Sequence, residues 1–454
     1  MKNDPQHGKL SLTTKITYAL GDHSINLVLS ATSFFYLYFL TSVADLRPAL
    51  AGLVVWLARV VDAVTDPMMG RLSDGTRWAS GRRRPFFLIG AIPLALSFAL
   101  MWTVSPFEDQ TGKFFYYAFA YALMSVTSTV VSVPYLALIP EMATRYDERT
   151  AVNAFRAGAA VLGTLAAVGM KPLVDSLGGG PEAWATTGLI ASVWVAVLWL
   201  PVHRVSFERS EYQRMVTVGI LEGLRIALRQ RSYRILMALY IFSRIAIDLI
   251  GALFLLYFTF YVGRADDFSK TLALFLLVGV ASLAFWLRVS RTSDKRTIFL
   301  IGSIWWIVSQ LIIYAAEPDW ARWSMFLIAA VAAVGYAACD LMPWAMLGDV
   351  VDEDELATGE RREGLFVGLF MFLRKLGGAT AILVVGIALD LVGYVGSADP
   401  ESQPQLAIDG IRALTSLGPA FFLTLAVLAA LPYPLSRKAH ADILERVERK
   451  RNAT

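Results

Sequence analysis

Two carboxylates in the segment ARVVDAVTDP, Asp62 and Asp66, stand four residues apart inside an apolar run. That spacing puts both on one face of a helix. Arg59 lies one turn earlier on the same face, and Pro67 follows at once and loosens the local backbone hydrogen bonding. Two carboxylates facing a cavity can coordinate a hard cation such as sodium through oxygen, or can hold a proton between them through mutual repulsion. The competing reading is an Arg59–Asp62 pair that only ties helices together. A purely structural need would not require the second aspartate.

Other charges stand in similarly apolar surroundings. In RKLGG, Arg374 and Lys375 precede two glycines that permit close helix approach. A cation there neutralises the aspartates when the ion is absent, or forms an interhelical ion pair. Arg156, in AVNAFRAG, suits bidentate recognition of a carboxylate, phosphate or hydroxyl-rich group, and equally a gating salt bridge. Arg244 and Asp248 are four apart and so self-neutralising. Asp340 has no charged neighbour within a turn, which makes it a candidate substrate or proton contact. Asn26 and Ser132 are polar, but spacing alone says little about them.

These groups need a frame. The chain has 454 residues, 56% hydrophobic and 17% charged, with a mean hydropathy of +0.54. That balance excludes a disordered chain and disfavours a soluble multidomain enzyme. The single cysteine, Cys339, excludes an intramolecular disulfide, and with four histidines it leaves no metal-ligand cluster. A span needs about 20 apolar residues. Twelve segments qualify: 16–42, 48–71, 85–105, 114–140, 150–170, 184–202, 233–262, 270–287, 298–315, 323–348, 364–391 and 413–433. The first runs too long for a signal-peptide core and reads as a retained span.

Of the 41 basic residues, 29 fall on the side of the N-terminus, seven on the other side and five inside spans. The positive-inside rule then puts both termini in the cytoplasm. The basic residues mark orientation, so nucleic acid is not an expected partner. The hydrophilic stretch 203–232 divides the chain into an N-terminal six-helix half, 1–202, and a C-terminal one, 233–433, with a cytoplasmic tail at 434–454. RRPFFLIGAI and KRTIFLIGSI open the third and ninth spans, and PYLAL and PWAML sit in the fourth and tenth. Such repetition predicts duplicated halves around a central site. The loop GRLSDGTRWASGRRRP (70–85) is basic, and GDVVDEDELATGERREG (348–364) is acidic. Asp74, Asp349, Asp352, Arg59, Arg244 and Arg374 are thus candidates for charge pairs and gates. Topology control and plain solvation are the blander readings of the two loops. The tail HADILERVERKRNAT reads as a solvated amphipathic helix or a disordered end.

ARVVDAVTDPMMG with its basic loop, and DVVDEDELATGERREG with RKLGG, resemble the glycoside–pentoside–hexuronide:cation symporter branch of the major facilitator superfamily over nearly the whole chain. The resemblance implies an all-α integral membrane protein of twelve helices in two pseudo-symmetric halves. It places the coupling cation, Na+ or H+, at Asp62, Asp66, Thr129 and Lys375, and a sugar contact at Arg156. Three matching positions differ: Asn26 and Ser132 replace sugar-binding aspartates, and Leu136 replaces a tryptophan. Arg244 and Asp248 replace two asparagines. The segment MPWAMLGDVVDE, which contains Trp344, is also similar to the sodium-dependent lysophospholipid transporters of the same branch. The expectation is therefore a monomeric, non-enzymatic, multi-pass protein of the cytoplasmic membrane. It would carry a sugar or glycoside by cation symport and alternating access, with Asn26, Ser132, Arg156, Asp248, Asp340 and Trp344 toward the substrate. The alternative cargo is a lysolipid or other charged amphiphile. No cofactor is expected, and no metal beyond Na+ at Asp62 and Asp66.

Overall fold

The computed structural model describes residues 10–78, 81–143, 146–208, 220–359, 362–396 and 400–453. Residues 209–219 of the central stretch, Glu360 and Arg361 of the acidic motif, and Lys2, Lys9 and Arg145 lie outside them. The described residues are helical, with no β-strand beyond an isolated Trp78–Gly81 bridge.

The helices are α1 (Leu12–Tyr38), α2 (Pro48–Gly75), α3 (Pro85–Met101), α4 (Gln110–Met142), α5 (Tyr146–Val168), α6 (Met170–Ser176) and α7 (Pro181–Val205). There follow α8 (Ile220–Arg229), α9 (Arg231–Leu256), α10 (Phe268–Val289), α11 (Lys295–Ala315), α12 (Arg322–Thr358), α13 (Glu363–Leu391), α14 (Gln405–Ala430) and α15 (Arg437–Ala453). Local chemistry sets many ends. Ser11 caps α1 by accepting from the Thr14 N–H, and Asp109 caps α4 through Gly112. Prolines open α2, α3 and α7, where a missing N–H costs nothing. Gly359, at φ 78°, stops α12 in the left-handed conformation.

Among the described residues, eleven helical segments are long and apolar enough to cross a membrane. The segment expected at 85–105 is shorter: α3 has 17 residues, about 25 Å at helical rise. It stops because Trp102 leaves the helix axis and stacks on Trp184, ring centroids 5.5 Å apart, among the rings of Tyr36 and Phe39.

Two expected loops are partly helix. α2 runs on to Gly75, and α12 runs on through VVDEDELAT to Thr358. Hydropathy marks only where lipid-compatible residues end, whereas a helix continues while its polar groups find partners. The tail is likewise ordered. α15 buries Ile443 and Val447 in the apolar core of its unit, so it is docked and not merely solvated.

The chain forms two compact units. The first comprises residues 1–215 with 386–404, built on the pairings α1 with α5, α2 with α4 and α3 with both α4 and α7. Residues 386–404 are held there by an Arg47–Asp390 ion pair of 2.9 Å and a Ser42–Tyr394 hydrogen bond of 2.6 Å. The second comprises 216–385 with 405–454, where α9 packs on α14, and α12 on α10 and α11.

The α11–α12 crossing depends on two glycines. A methyl group on Gly335 would stand 2.8 Å from the Gly302 carbonyl oxygen and 2.9 Å from the Trp306 amide nitrogen. Both neighbours are backbone and cannot step aside. Gly335→Ala is expected to lower stability by about 1–3 kcal/mol through overpacking, read as a lower melting temperature of the purified protein. Gly348→Ala on the same helix, with nothing within 4 Å of its added carbon, is the control and should melt no lower than the parent.

Candidate functional site

Asp62 and Asp66 both lie on α2. Asp62 is buried and pairs with Arg59, NH1 to Oδ2 at 3.2 Å. Asp66 accepts from the Thr129 hydroxyl of α4 at 2.7 Å. The structure therefore joins Asp66 and Thr129, which lie 63 residues apart. Pro67 has no N–H to give the Ala63 carbonyl four residues back, and the oxygens brought together in this stretch are those of the Asp66 carboxylate and the Thr129 hydroxyl. That donor set, hard oxygens with net negative charge, suits Na+ or a proton. No group of three or more histidine, cysteine or acidic side chains with metal-ligand geometry occurs among the described residues.

Arg156 lies in the same unit and has an unforeseen partner. Its guanidinium grips Asp22 of α1 in bidentate fashion, Nε to Oδ2 at 2.5 Å and NH2 to Oδ1 at 3.0 Å, while NH1 donates to Asn153 at 2.8 Å. The Tyr135 hydroxyl of α4 lies 2.6 Å from Asp22 Oδ2, and the ring stacks on Tyr18. Arg156 also stands over the Tyr135 ring, 5.5 Å from its centroid. Asp22 was overlooked from sequence. The available signal was a carboxylate within an apolar span, one turn before Asn26. Asn26 spends its amide on the Asp22 carbonyl of its own helix, at 2.8 Å. Ser132 is half-buried on α4.

The second unit carries its own charged cluster. Arg244 and Asp248 pair along α9 at 2.6 Å, the local neutralisation their spacing implies. Asp340 is not isolated: Arg244 reaches it from α9, with NH1 to Oδ1 at 3.9 Å. Sequence missed this because the partner lies on another helix. The Asp248 carboxylate sits over Gly378 of α13, where an added Cβ would stand 2.0 Å from Oδ2 and force the carboxylate to shift. Trp344, one turn beyond Asp340, meets Tyr240 and Phe370 edge-on, and those two rings stack at 3.8 Å. Arg374 and Lys375 are on α13 in this unit, whereas Asp62 and Asp66 are in the other.

The proposed gate residues have local partners. Asp74 binds Arg83 at 2.6 Å, and Arg83 also binds Glu141 at 2.6 Å. The Glu208 carboxylate accepts from the backbone N–H groups of Arg82, Arg83 and Arg84. Asp349 binds Lys295 at 2.6 Å, and His440 of α15 lies 3.0 Å from Asp352. Each of these pairs joins residues of one unit. Glu141 and Glu208 were not legible as anchors.

The sequence profile of the MFS/sugar transport protein family matches residues 17–437. The chain is 30% identical to the putative glycoside/cation symporter YagG of Escherichia coli, over 90% of this chain and 89% of that one. It is 25% identical to the sodium-dependent lysophosphatidylcholine symporter 1-A of Danio rerio, covering 96% and 88%. Among solved structures, an inward-facing bacterial homologue of the lysosomal transporter Spinster superposes with a TM-score of 0.69 at 11% identity, over 98% of this chain and 99% of that chain. At that identity the likeness speaks to fold alone. With a family profile spanning nearly all of its helices, this multi-pass membrane protein belongs to the MFS/sugar transport protein family.

Proposed function

We propose that the protein is a cation-coupled symporter that carries a sugar or glycoside across the cytoplasmic membrane by alternating access. Twelve crossing helices, with α3 as the short one, and cytoplasmic termini accord with the asymmetry of Lys and Arg. The observation that carries the reading is the Asp66–Thr129 contact beside the Arg59–Asp62 pair. A carboxylate that shares a hydroxyl, with a second carboxylate one turn away, is a site that a small cation can enter and leave. The coupling ion, Na+ or H+, binds there.

The substrate contacts in the first unit are Arg156, Asn26 and Ser132. Because Asp22 neutralises Arg156, that cluster carries no net charge, which favours a hydroxyl-bearing neutral solute over an anion. Hydroxyls can accept from the guanidinium and donate to the carboxylate in one plane. α4 connects the two places: Thr129 and Tyr135 are six residues apart, about 9 Å along the helix. Ion binding at one shifts the helix that frames the other, and coupling requires only that each ligand bind better with the other present. Within the second unit, the candidate substrate contacts are Asp248, Asp340 and Trp344, and Lys375 on α13 is the candidate cation-site lysine.

The second reading is a lysolipid or other charged amphiphile. The aromatic face of Trp344, Tyr240 and Phe370 favours it, as does the name of the zebrafish relative. Uptake into proteoliposomes under an imposed sodium or proton gradient decides between them, with free sugars, alkyl and aryl glycosides and lysophosphatidylcholine offered in parallel. Gradient-driven accumulation of a glycoside is the expected result. Accumulation of lysophosphatidylcholine alone selects the second reading, and accumulation of none overturns both.

A further inference from the structure

Side chains of α9 and α13 meet in rungs, one helical turn apart on each helix, about 6 Å of rise. In one rung the rings of Tyr240 and Phe370 stack at 3.8 Å. Two turns on, the Asp248 carboxylate lies over Gly378. Between these rungs come Arg244 and Arg374. The two guanidinium groups repel, and the strongest electrostatic interaction of Arg374 is with Arg244. α12 adds a residue at each of the first two levels. Trp344 meets Tyr240 and Phe370 edge-on, and Asp340 stands beside Arg244.

Both carboxylates of the cluster go to Arg244, Asp248 at 2.6 Å and Asp340 at 3.9 Å. Arg374 is within electrostatic reach of both but pairs with neither. Among the described residues it makes no hydrogen bond and no ion pair. A guanidinium beside a like charge in an apolar span, its fork of N–H donors unmet, is costly. The place is also open. Arg374 is half-buried, the Asp340 side chain is 40% exposed and Trp344 36%.

We propose that Arg374 binds the carboxylate of an aromatic acid whose ring lies against Trp344. A carboxylate matches the planar fork with two parallel hydrogen bonds, and its charge relieves the repulsion between the two arginines. Asp340 nearby resists a second negative charge, so a singly charged carboxylate fits better than a phosphate dianion. The exposed indole offers the ring an apolar face. That the acid is part of the carried solute rests on the reading of Asp340 and Trp344 as substrate contacts; the binding itself does not.

The test uses the full chain in lipid nanodiscs and measures the binding of phenylacetate and phenylacetamide by titration calorimetry. The two have the same shape and differ in charge. A charge-assisted contact makes phenylacetate bind about ten- to a hundredfold tighter. Arg374→Gln is expected to bring the two to parity. Arg374→Lys keeps the charge but loses the fork, so an intermediate preference should remain. Without ligand, Arg374→Gln should melt no lower than the parent, because it breaks no bond and removes a repulsion. Phenyl phosphate, mostly doubly charged at about pH 7, should bind more weakly than phenylacetate. The proposal is overturned by parity in the parent, by binding of neither compound, or by a preference that survives in Arg374→Gln. A marked fall in the melting temperature of Arg374→Gln would overturn it too, by making the arginine a structural partner. Phenyl phosphate binding tighter than phenylacetate would overturn the assignment to a carboxylate.

Discussion

Asp66→Asn is expected to abolish gradient-driven accumulation of substrate while leaving exchange of substrate across the membrane intact. The substitution keeps the size of the side chain and can preserve the hydrogen bond from Thr129, which lies 2.7 Å from the carboxylate. It removes the negative charge that holds the ion. Losing a charge-assisted contact of ~1.5–3 kcal/mol weakens ion binding about ten- to a hundredfold. The carrier then moves substrate down its own gradient but cannot concentrate it. Thr129→Ala removes one neutral oxygen and should have a smaller effect of the same kind, a fewfold rise in the ion concentration that gives half-maximal uptake. Asp62→Asn is the less clean experiment. It leaves Arg59 without the carboxylate 3.2 Å away, so lost coupling is mixed with lost stability. The measurement is substrate uptake into proteoliposomes with and without the ion gradient, beside counterflow with substrate loaded inside. If Asp66→Asn concentrates substrate as the parent does, the coupling site lies elsewhere.

What could be foreseen about these groups divides by distance along the chain. The Arg59–Asp62 and Arg244–Asp248 pairs are consequences of helical spacing, three and four residues, and need only the knowledge that the segment is a helix. The membrane spans were readable for a similar reason, since apolar run length is a local property. Ends were harder. The hydropathy of α12 fails near 348, yet the helix runs to Thr358 because Lys295 and His440, brought from far away, pair with Asp349 and Asp352. α3 falls short because an indole finds a better place in a ring cluster than in another helical turn.

Partners across helices were not readable from the residues alone; only the resemblance set Thr129 with Asp66. Asp22 and Arg156 are separated by 134 residues, and nothing in either segment names the other. The same holds for Asp340, which seemed solitary until α9 set Arg244 beside it, and for Glu208, whose carboxylate ties down three successive backbone amides. The resemblance of the α2 and α12–α13 motifs pointed to a mechanism. It could not supply these contacts, because a motif names the residues of one segment and not their partners on other helices.

The Asp22–Arg156 pair admits two roles that stability alone cannot separate, and a pair of substitutions can. Arg156→Leu by itself leaves the buried Asp22 carboxylate with only Tyr135 for company, and breaking a buried pair from one side costs about 3–5 kcal/mol. The purified variant is expected to melt far lower than the parent. Asp22→Asn should cost less than Arg156→Leu, because an amide oxygen can still accept from Tyr135 and from one guanidinium N–H. The double variant Asp22→Asn, Arg156→Leu carries no uncompensated charge, and removing both members of a buried pair is often close to neutral. It is expected to recover most of the lost melting temperature. Transport should not recover with it. If Arg156 meets the substrate, a leucine in its place offers no donor for a hydroxyl, and a site left with unmatched polar groups discriminates steeply. Uptake in the double variant should therefore stay at least about tenfold below the parent even in a well-folded sample. Recovery of both stability and uptake would mean that Arg156 and Asp22 only hold α1 to α5, and that the substrate is recognised by other groups.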